Sequence, residues 1–186
     1  EFMGLKCSIG DVTHRIQASE LQDKGVLANC HVNVLQTQDH PMFKTYAEEL
    51  KWLTTDKVRM AWVAKTVKDV STSGNTLVLV DRISAGEILQ EQLEGSVFVS
   101  GSTKNVDRKE QYDEVSTATN KIIIATYGVA SVGINIPRIF NLVLIEPGKS
   151  FVRVIQSIGR GIRKAEDKEN VQIWDITSSC KFAKRH

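Results

Sequence analysis

Cysteine is scarce in this chain: Cys7, Cys30 and Cys180 are three, far apart, and form no C-x-x-C pair. An odd number at such spacing argues against a disulfide framework and a cysteine-built zinc site, and fits a reducing compartment. His14, His31 and His40 add no metal-ligand spacing, so no metal site is expected. No apolar run approaches the ~18 residues of a membrane span. No signal-peptide pattern opens the chain, so the expected location is cytoplasmic with no membrane partner. Charge of one sign is also lacking. The formal net charge is only +2, so any basic footprint must be local, as in the stretch from Arg153 to Lys168 and the tail from Lys181 to His186.

A phosphate-cradling loop is missing as well. Gly148-Lys149-Ser150 has the ending of G-x-x-x-x-G-K-[ST], but the first glycine would fall at Val143, and Pro147 stands where the cradle needs a free backbone N–H. No paired metal-binding carboxylates accompany it. A self-sufficient nucleotide-hydrolysing site is therefore not expected in these residues.

What the chain contains is enough apolar material for one good-sized core: 186 residues, 41% hydrophobic and 25% charged. Glu1-Phe2 ahead of Met3 reads as a cloning remnant, and residues 1–3 are set aside from the fold. Gln17 to Lys24 has helical character and stops at Gly25, a residue suited to a helix C′ position. Val26 to Gln38 alternates as a strand does, with Pro41 closing it. Phe43 to Leu53 and Lys57 to Val70 read as helices. The second opens behind Thr55 or Asp56 as N-cap and buries Met60, Val63, Ala64 and Val67.

Beyond them, apolar strands over 76–80, 96–99, 121–125, 141–145 and 171–176 alternate with helices over 84–93 and 105–118 and a further helix after Ser150. Short, fully apolar strands alternating with helices predict an α/β domain, a mostly parallel sheet with helices on both faces. Such sheets put ligands at the carboxyl ends of their strands. The candidate loops lie there. Asp81-Arg82-Ile83-Ser84 opens a helix, where backbone N–H groups and the Ser84 hydroxyl suit a phosphate, although spacing alone favours a plain Ser N-cap. Ser100-Gly101-Ser102-Thr103 repeats the small-residue arrangement, or is merely a turn. Tyr127 is the one aromatic in these loops, so base stacking has little support from the sequence.

The helix after Ser150 carries Gln156-Ser157-Ile158-Gly159-Arg160-Gly161-Ile162-Arg163. Arginines at i and i+3 lie about one turn apart on the same face, so both guanidinium groups can reach one polyphosphate. Alternatively they pair with Glu166, Asp167 or Glu169, which follow directly.

Taken with the stretches Ile124 to Pro137, Glu146 to Lys164 and Val171 to Thr177, this pattern resembles motifs V and VI of superfamily 2 helicases, including their Q-x-x-G-R-x-x-R signature. In its phrasing it is most similar to the recombination helicases of T4-type phages. The resemblance covers nearly the whole chain and implies a RecA-like fold. Residues 4–25 would be a linker or a remnant of a first RecA-like domain, and residues 26–186 the C-terminal RecA-like domain bearing motifs IV, V and VI.

It further implies the C-terminal motor domain of an ATP-dependent DNA helicase or translocase working on branched DNA, including R-loops with their RNA–DNA hybrid, in the host cytoplasm if phage-encoded. Arg160 and Arg163 would be arginine fingers. Gly133, Asn135 and Gln156 would join them at the nucleotide, although many relatives carry Asp at the position of Asn135. Arg82, Ser84, Gly101, Ser102 and Thr126 would hold the nucleic acid, single-stranded or branched. ATP and Mg2+ would be bound mainly by the first RecA-like domain, without which this domain should not turn over ATP. The alternative is a non-catalytic RecA-like module that binds nucleic acid or protein. Intact Arg160 and Arg163 weigh against it.

Overall fold

The computed structural model describes residues 12–14, 30–132, 139–145 and 171–180. These residues build one sheet in the order β1-β2-β7-β6-β3-β5-β4. Its strands are β1 (Val12–His14), β2 (Cys30–Thr37), β3 (Thr76–Val80), β4 (Val97–Val99), β5 (Ile122–Thr126), β6 (Asn141–Leu144) and β7 (Val171–Ser178). From β2 to β4 every neighbouring pair is parallel, and β1 alone runs antiparallel, against β2. The segment read from the sequence as linker or remnant thus adds a short edge strand. The motif region from 133 to 138 and the arginine helix lie outside the described residues.

The strands form where the sequence is apolar without interruption. β3, β5 and β6 are buried along their whole length, as strands covered on both faces must be. Alternate side chains then serve two cores. Val78, Val80, Ile122, Ile124, Val143 and Ile176 meet Met60, Val63, Ala64, Val67, Ala85 and Leu89 of helices α2 (Lys57–Ser71) and α3 (Ile83–Gln92). On the opposite face Leu77, Leu79, Ile123, Ala125, Leu142, Leu144 and Ile173 are just as buried. Right-handed crossovers from β4 to β5 and from β5 to β6 put α4 (Asn105–Thr117) and α5 (Tyr127–Val132) on that second face. Helices therefore cover both faces, as expected.

Helix starts show why the chain breaks where it does. Before α1 (Tyr46–Thr55), Thr45 and Glu48 form a reciprocal capping box. Asp56 caps α2, its carboxylate accepting from the Arg59 N–H at 2.9 Å. The helix over α3 begins at Ile83 rather than Ser84, so Ser84 is an exposed first-turn residue and not an N-cap. Tyr127–Val132 is helical where the sequence suggested a loop, because the Thr126 Oγ accepts from the Val129 N–H at 3.4 Å and supplies the cap.

Polar side chains stitch the amino-terminal end of the sheet. Asn75 donates to the carbonyls of Val115 (2.8 Å) and Ala118 (2.9 Å) and accepts from the Lys121 N–H (2.8 Å). Asn141 donates to the Val70 carbonyl, the Ser73 hydroxyl and the Gly74 carbonyl. Both asparagines are fully buried. Satisfied in this way, they tie α2, α4, β3 and β6 together, with the hydrogen bonds offsetting the desolvation of the buried amides.

Candidate nucleic-acid interface

With the strands parallel, the loops that follow β3, β4 and β5 leave the sheet at one edge. β4, β5 and β3 are consecutive, with Val99 level with Ala125 and Val80 level with Thr126. At about 4.8 Å per strand, the three loops start within about 10 Å of one another. Arg82, Ser84, Gly101, Ser102 and Thr126 are brought together at that edge.

Each is held differently. Arg82 is the N-cap residue of α3 in extended geometry, and no side-chain cap hydrogen bond forms there. Lys104 occupies the same place before α4, again without a side-chain cap. Ser, Thr, Asp and Asn are the preferred residues at this position, and a cation there opposes the helix dipole. Two adjacent helices thus break a rule that α1 and α2 obey. Lys104 was not singled out from the sequence; a lysine directly ahead of an Asn105 helix start was the available signal.

The loop after β4 is shaped from inside. The Arg108 Nη2 donates to the carbonyls of Ser100 and Gly101, each at 3.1 Å, and the Ser100 N–H donates to the Thr103 hydroxyl at 3.0 Å. Gly101 and Ser102 remain exposed. A Cβ on Gly101 would meet nothing within 4 Å, so the fold itself does not require glycine there. Thr126 is buried, 8% exposed, at the last position of β5. Its oxygen accepts from α5, and a hydroxyl can donate its proton at the same time. Tyr127 is half-buried.

Gly133, Asn135, Gln156, Arg160 and Arg163 all lie outside the described residues, as does the Gly148-Lys149-Ser150 loop. Nearer the described edge, Asp175 of β7 stands level with Leu144, and burial raises its carboxyl from the ordinary range to about 6. No described helix is long and apolar enough to cross a membrane.

The chain is 28% identical over 182 residues to the ATP-dependent DNA helicase uvsW of Enterobacteria phage T4, covering 92% of this chain and 36% of that protein. It is 33% identical over 104 residues to putative helicase 22 of Sulfolobus islandicus filamentous virus, covering 54% of this chain and 18% of that protein. The crystal structure of T4 UvsW superimposes with a TM-score of 0.63 at 30% identity, over 73% of this chain and 28% of that one. The C-terminal part of the Fun30 ATPase domain shares the fold, with a TM-score of 0.54 at 21% identity. The chain thus spans about a third of the T4 relative. The model of the helicase conserved C-terminal domain matches residues 58–165, from the start of α2 through both arginines of the Q-x-x-G-R-x-x-R run, and the chain belongs to that family.

Proposed function

We propose that this chain is the second motor domain of an ATP-dependent DNA helicase or translocase that acts on branched DNA in recombination, repair and fork processing, opposite a P-loop domain. One observation carries the reading: successive helices α3 and α4 start at the same sheet edge with a basic residue at the N-cap that makes no side-chain cap. A cation at each of two helix starts on one sheet edge suits the phosphates of one nucleic-acid strand. Arg82 and Ser84 hold one phosphate, Gly101 and Ser102 the next, and the Thr126 hydroxyl donates between them. Contacts to backbone rather than base edges entail weak sequence preference and steep salt dependence.

The nucleotide half of the proposal rests on the similarity to the T4 helicase and on residues outside the described set. Gly133, Asn135 and Gln156 line the cleft between the two motor domains. Arg160 and Arg163 reach across it to the γ-phosphate and neutralise charge that develops on the transferred phosphoryl group, an effect of roughly 10³ to 10⁵ in rate for arginine fingers. Loss of that bridge on hydrolysis lets the cleft reopen, and the strand contacts advance with this domain. By the similarity to the T4 helicase, we assign the ligands of the Mg2+ that accompanies ATP to the P-loop domain.

ATP turnover by this chain alone, with and without forked DNA and against an Arg160→Ala/Arg163→Ala control, tests the half-site reading. The expected result is no turnover in any sample. Turnover that vanishes in the control would overturn it, because a whole ATPase site would then lie within these residues. In the intact parent, Arg163→Ala should leave DNA binding in place and abolish turnover; retained turnover would sink the finger assignment.

A further inference from the structure

A cavity of about 610 Å³ opens between the chain leaving β2 and the start of α2. Pro41, Trp52, Val58 and Trp62 give it apolar walls. Four large apolar side chains are exposed among the described residues, and two of them stand here: Val58, 81% exposed, on the lining, and Met42, 89% exposed, next to Pro41. The other two, Ile83 and Val106, belong to the first turns of α3 and α4. Apolar surface gathered at one concave place marks a docking site, whereas single exposed apolar residues do not.

The carboxylates around the cavity are engaged within the fold. Asp39 accepts from the Thr37 and Ser178 hydroxyls, and Asp56 accepts from the Arg59 N–H as the N-cap of α2. The Arg59 guanidinium donates to the Leu53 carbonyl at 2.8 Å and lies 3.7 Å from Asp39. What these groups offer an occupant is therefore a surplus of negative charge, two carboxylates against one guanidinium, and not a set of free hydrogen-bonding sites.

The path of β7 identifies the occupant. Ser178 lies level with Thr37, the last residue of β2, and the residues that follow run along the segment from Thr37 to Pro41 that forms one wall. The Ser179 N–H donates to the Thr37 carbonyl at 2.9 Å. The Ser179 hydroxyl accepts from the Asp39 N–H at 2.9 Å and donates to the Asp39 carbonyl at 3.2 Å. The Cys180 thiol donates to the Pro41 carbonyl at 3.7 Å, and its side chain packs with Leu53, Phe43 and Trp52. The chain is thus led to the cavity wall at Cys180, and Lys181-Phe182-Ala183-Lys184-Arg185-His186 follows.

At no more than about 3.6 Å per residue, Phe182 can be no further than about 7 Å from Cys180. It is the one large apolar side chain of the six, and Lys181, Lys184 and Arg185 have the sign opposite to the surplus on the lining. We infer that this cavity is the docking site of the segment 181–186, with Phe182 as its anchor against Trp52 and Val58. Because the segment is tethered at Cys180, docking costs little translational freedom, and one aromatic anchor suffices. The inference is independent of the proposed function.

Nuclear Overhauser contacts in the isotope-labelled chain test it. There are three tryptophans, assignable with Trp→Phe variants, and Trp174 does not line the cavity. The expected result is cross-peaks from the Phe182 ring to the Trp52 or Trp62 indole, and none to Trp174. Val58→Arg, at an exposed residue of the lining, should abolish those cross-peaks and leave the Trp174 signal in place, which reports an intact fold. Phe182→Ser should raise the quenching of tryptophan fluorescence by acrylamide, and Phe182→Leu should restore most of the protection. Cross-peaks that are absent from the parent chain, that persist in Val58→Arg, or that arise only between labelled and unlabelled chains of a mixed sample overturn the inference, the last because a second copy then fills the cavity. Equal quenching in the parent and both Phe182 variants overturns it too.

Discussion

The two ends of the sheet are built on different principles. At the amino-terminal end, buried Asn75 and Asn141 spend their amide groups on named backbone carbonyls and hydroxyls. At the carboxyl end, α3 and α4 begin without a cap from the Arg82 and Lys104 side chains, Arg59 buries two donors without a partner among the described residues, and burial raises the Asp175 carboxyl to about 6. The carboxyl end is thus mixed: Asp56 and Thr126 cap their helices there, while α3 and α4 begin behind basic residues that do not. In a folded protein such breaks concentrate where something else is to be bound.

Breaking the satisfied end should have the largest effect. Asn75→Ala removes two donors and an acceptor from three buried backbone groups, so denaturant melts should show a loss of about 2–4 kcal/mol. A loss below about 0.5 kcal/mol would mean that water replaces the side chain and that this end is not the rigid one. Next comes the packing of α3 on the sheet. A Cβ at Gly86 would stand 2.4 Å from the Phe98 ring, and Gly86→Ala should cost about 1–3 kcal/mol by overpacking. Helix propensity alone would predict a gain, so the sign of the change decides between them.

Asp175 sharpens the contrast through pH. Its folded carboxyl titrates near 6 against an ordinary 3.8, so the folded state holds the proton more tightly than the unfolded one. Its contribution is therefore most favourable below about pH 4 and is lost as pH rises through about 6. Asp175→Asn should stabilise the chain at pH 7 by about 1–3 kcal/mol, with the advantage gone near pH 4. An unchanged pH profile would show that the carboxylate is solvated or paired.

The smallest stability effect belongs to the carboxyl edge. Gly101→Ala should change stability by less than about 0.5 kcal/mol, because nothing lies within 4 Å of the added Cβ. It should still weaken binding of single-stranded DNA severalfold if a phosphate packs against that backbone. Unchanged affinity would remove Gly101 from the interface and leave α3 as the main contact.

Periodicity and uninterrupted apolar runs were sufficient to read β3, α2 and the alternation that demands a parallel sheet, since both depend on neighbours in the chain. The Asp56 cap was legible for the same reason. Thr126 as the cap of α5 was not, because the helix it starts is six residues long and too short for a periodic signal. In β4, β5, β6 and β7 the termini moved by one or two residues where pairing partners, rather than composition, set the limit. Ser84 lost its place as N-cap to Arg82, a residue that propensity would never choose.

By itself, then, the sequence determined the fold class, the buried faces and the family, because all three are carried by residue type at fixed spacing. Only the tertiary structure decided which groups meet. Pairing of β4, β5 and β3 collects the loops carrying Ser84, Gly101 and Thr126 at one edge. The return of the chain from β2 through α1 sets Trp52 and Trp62 around a buried Arg59, although no stretch of the sequence resembles a binding loop there. The physical reason is that hydrophobic burial is legible locally, residue by residue. Unpartnered donors and a shared edge are properties of elements far apart in the chain, and they exist only once the sheet has set its strand order.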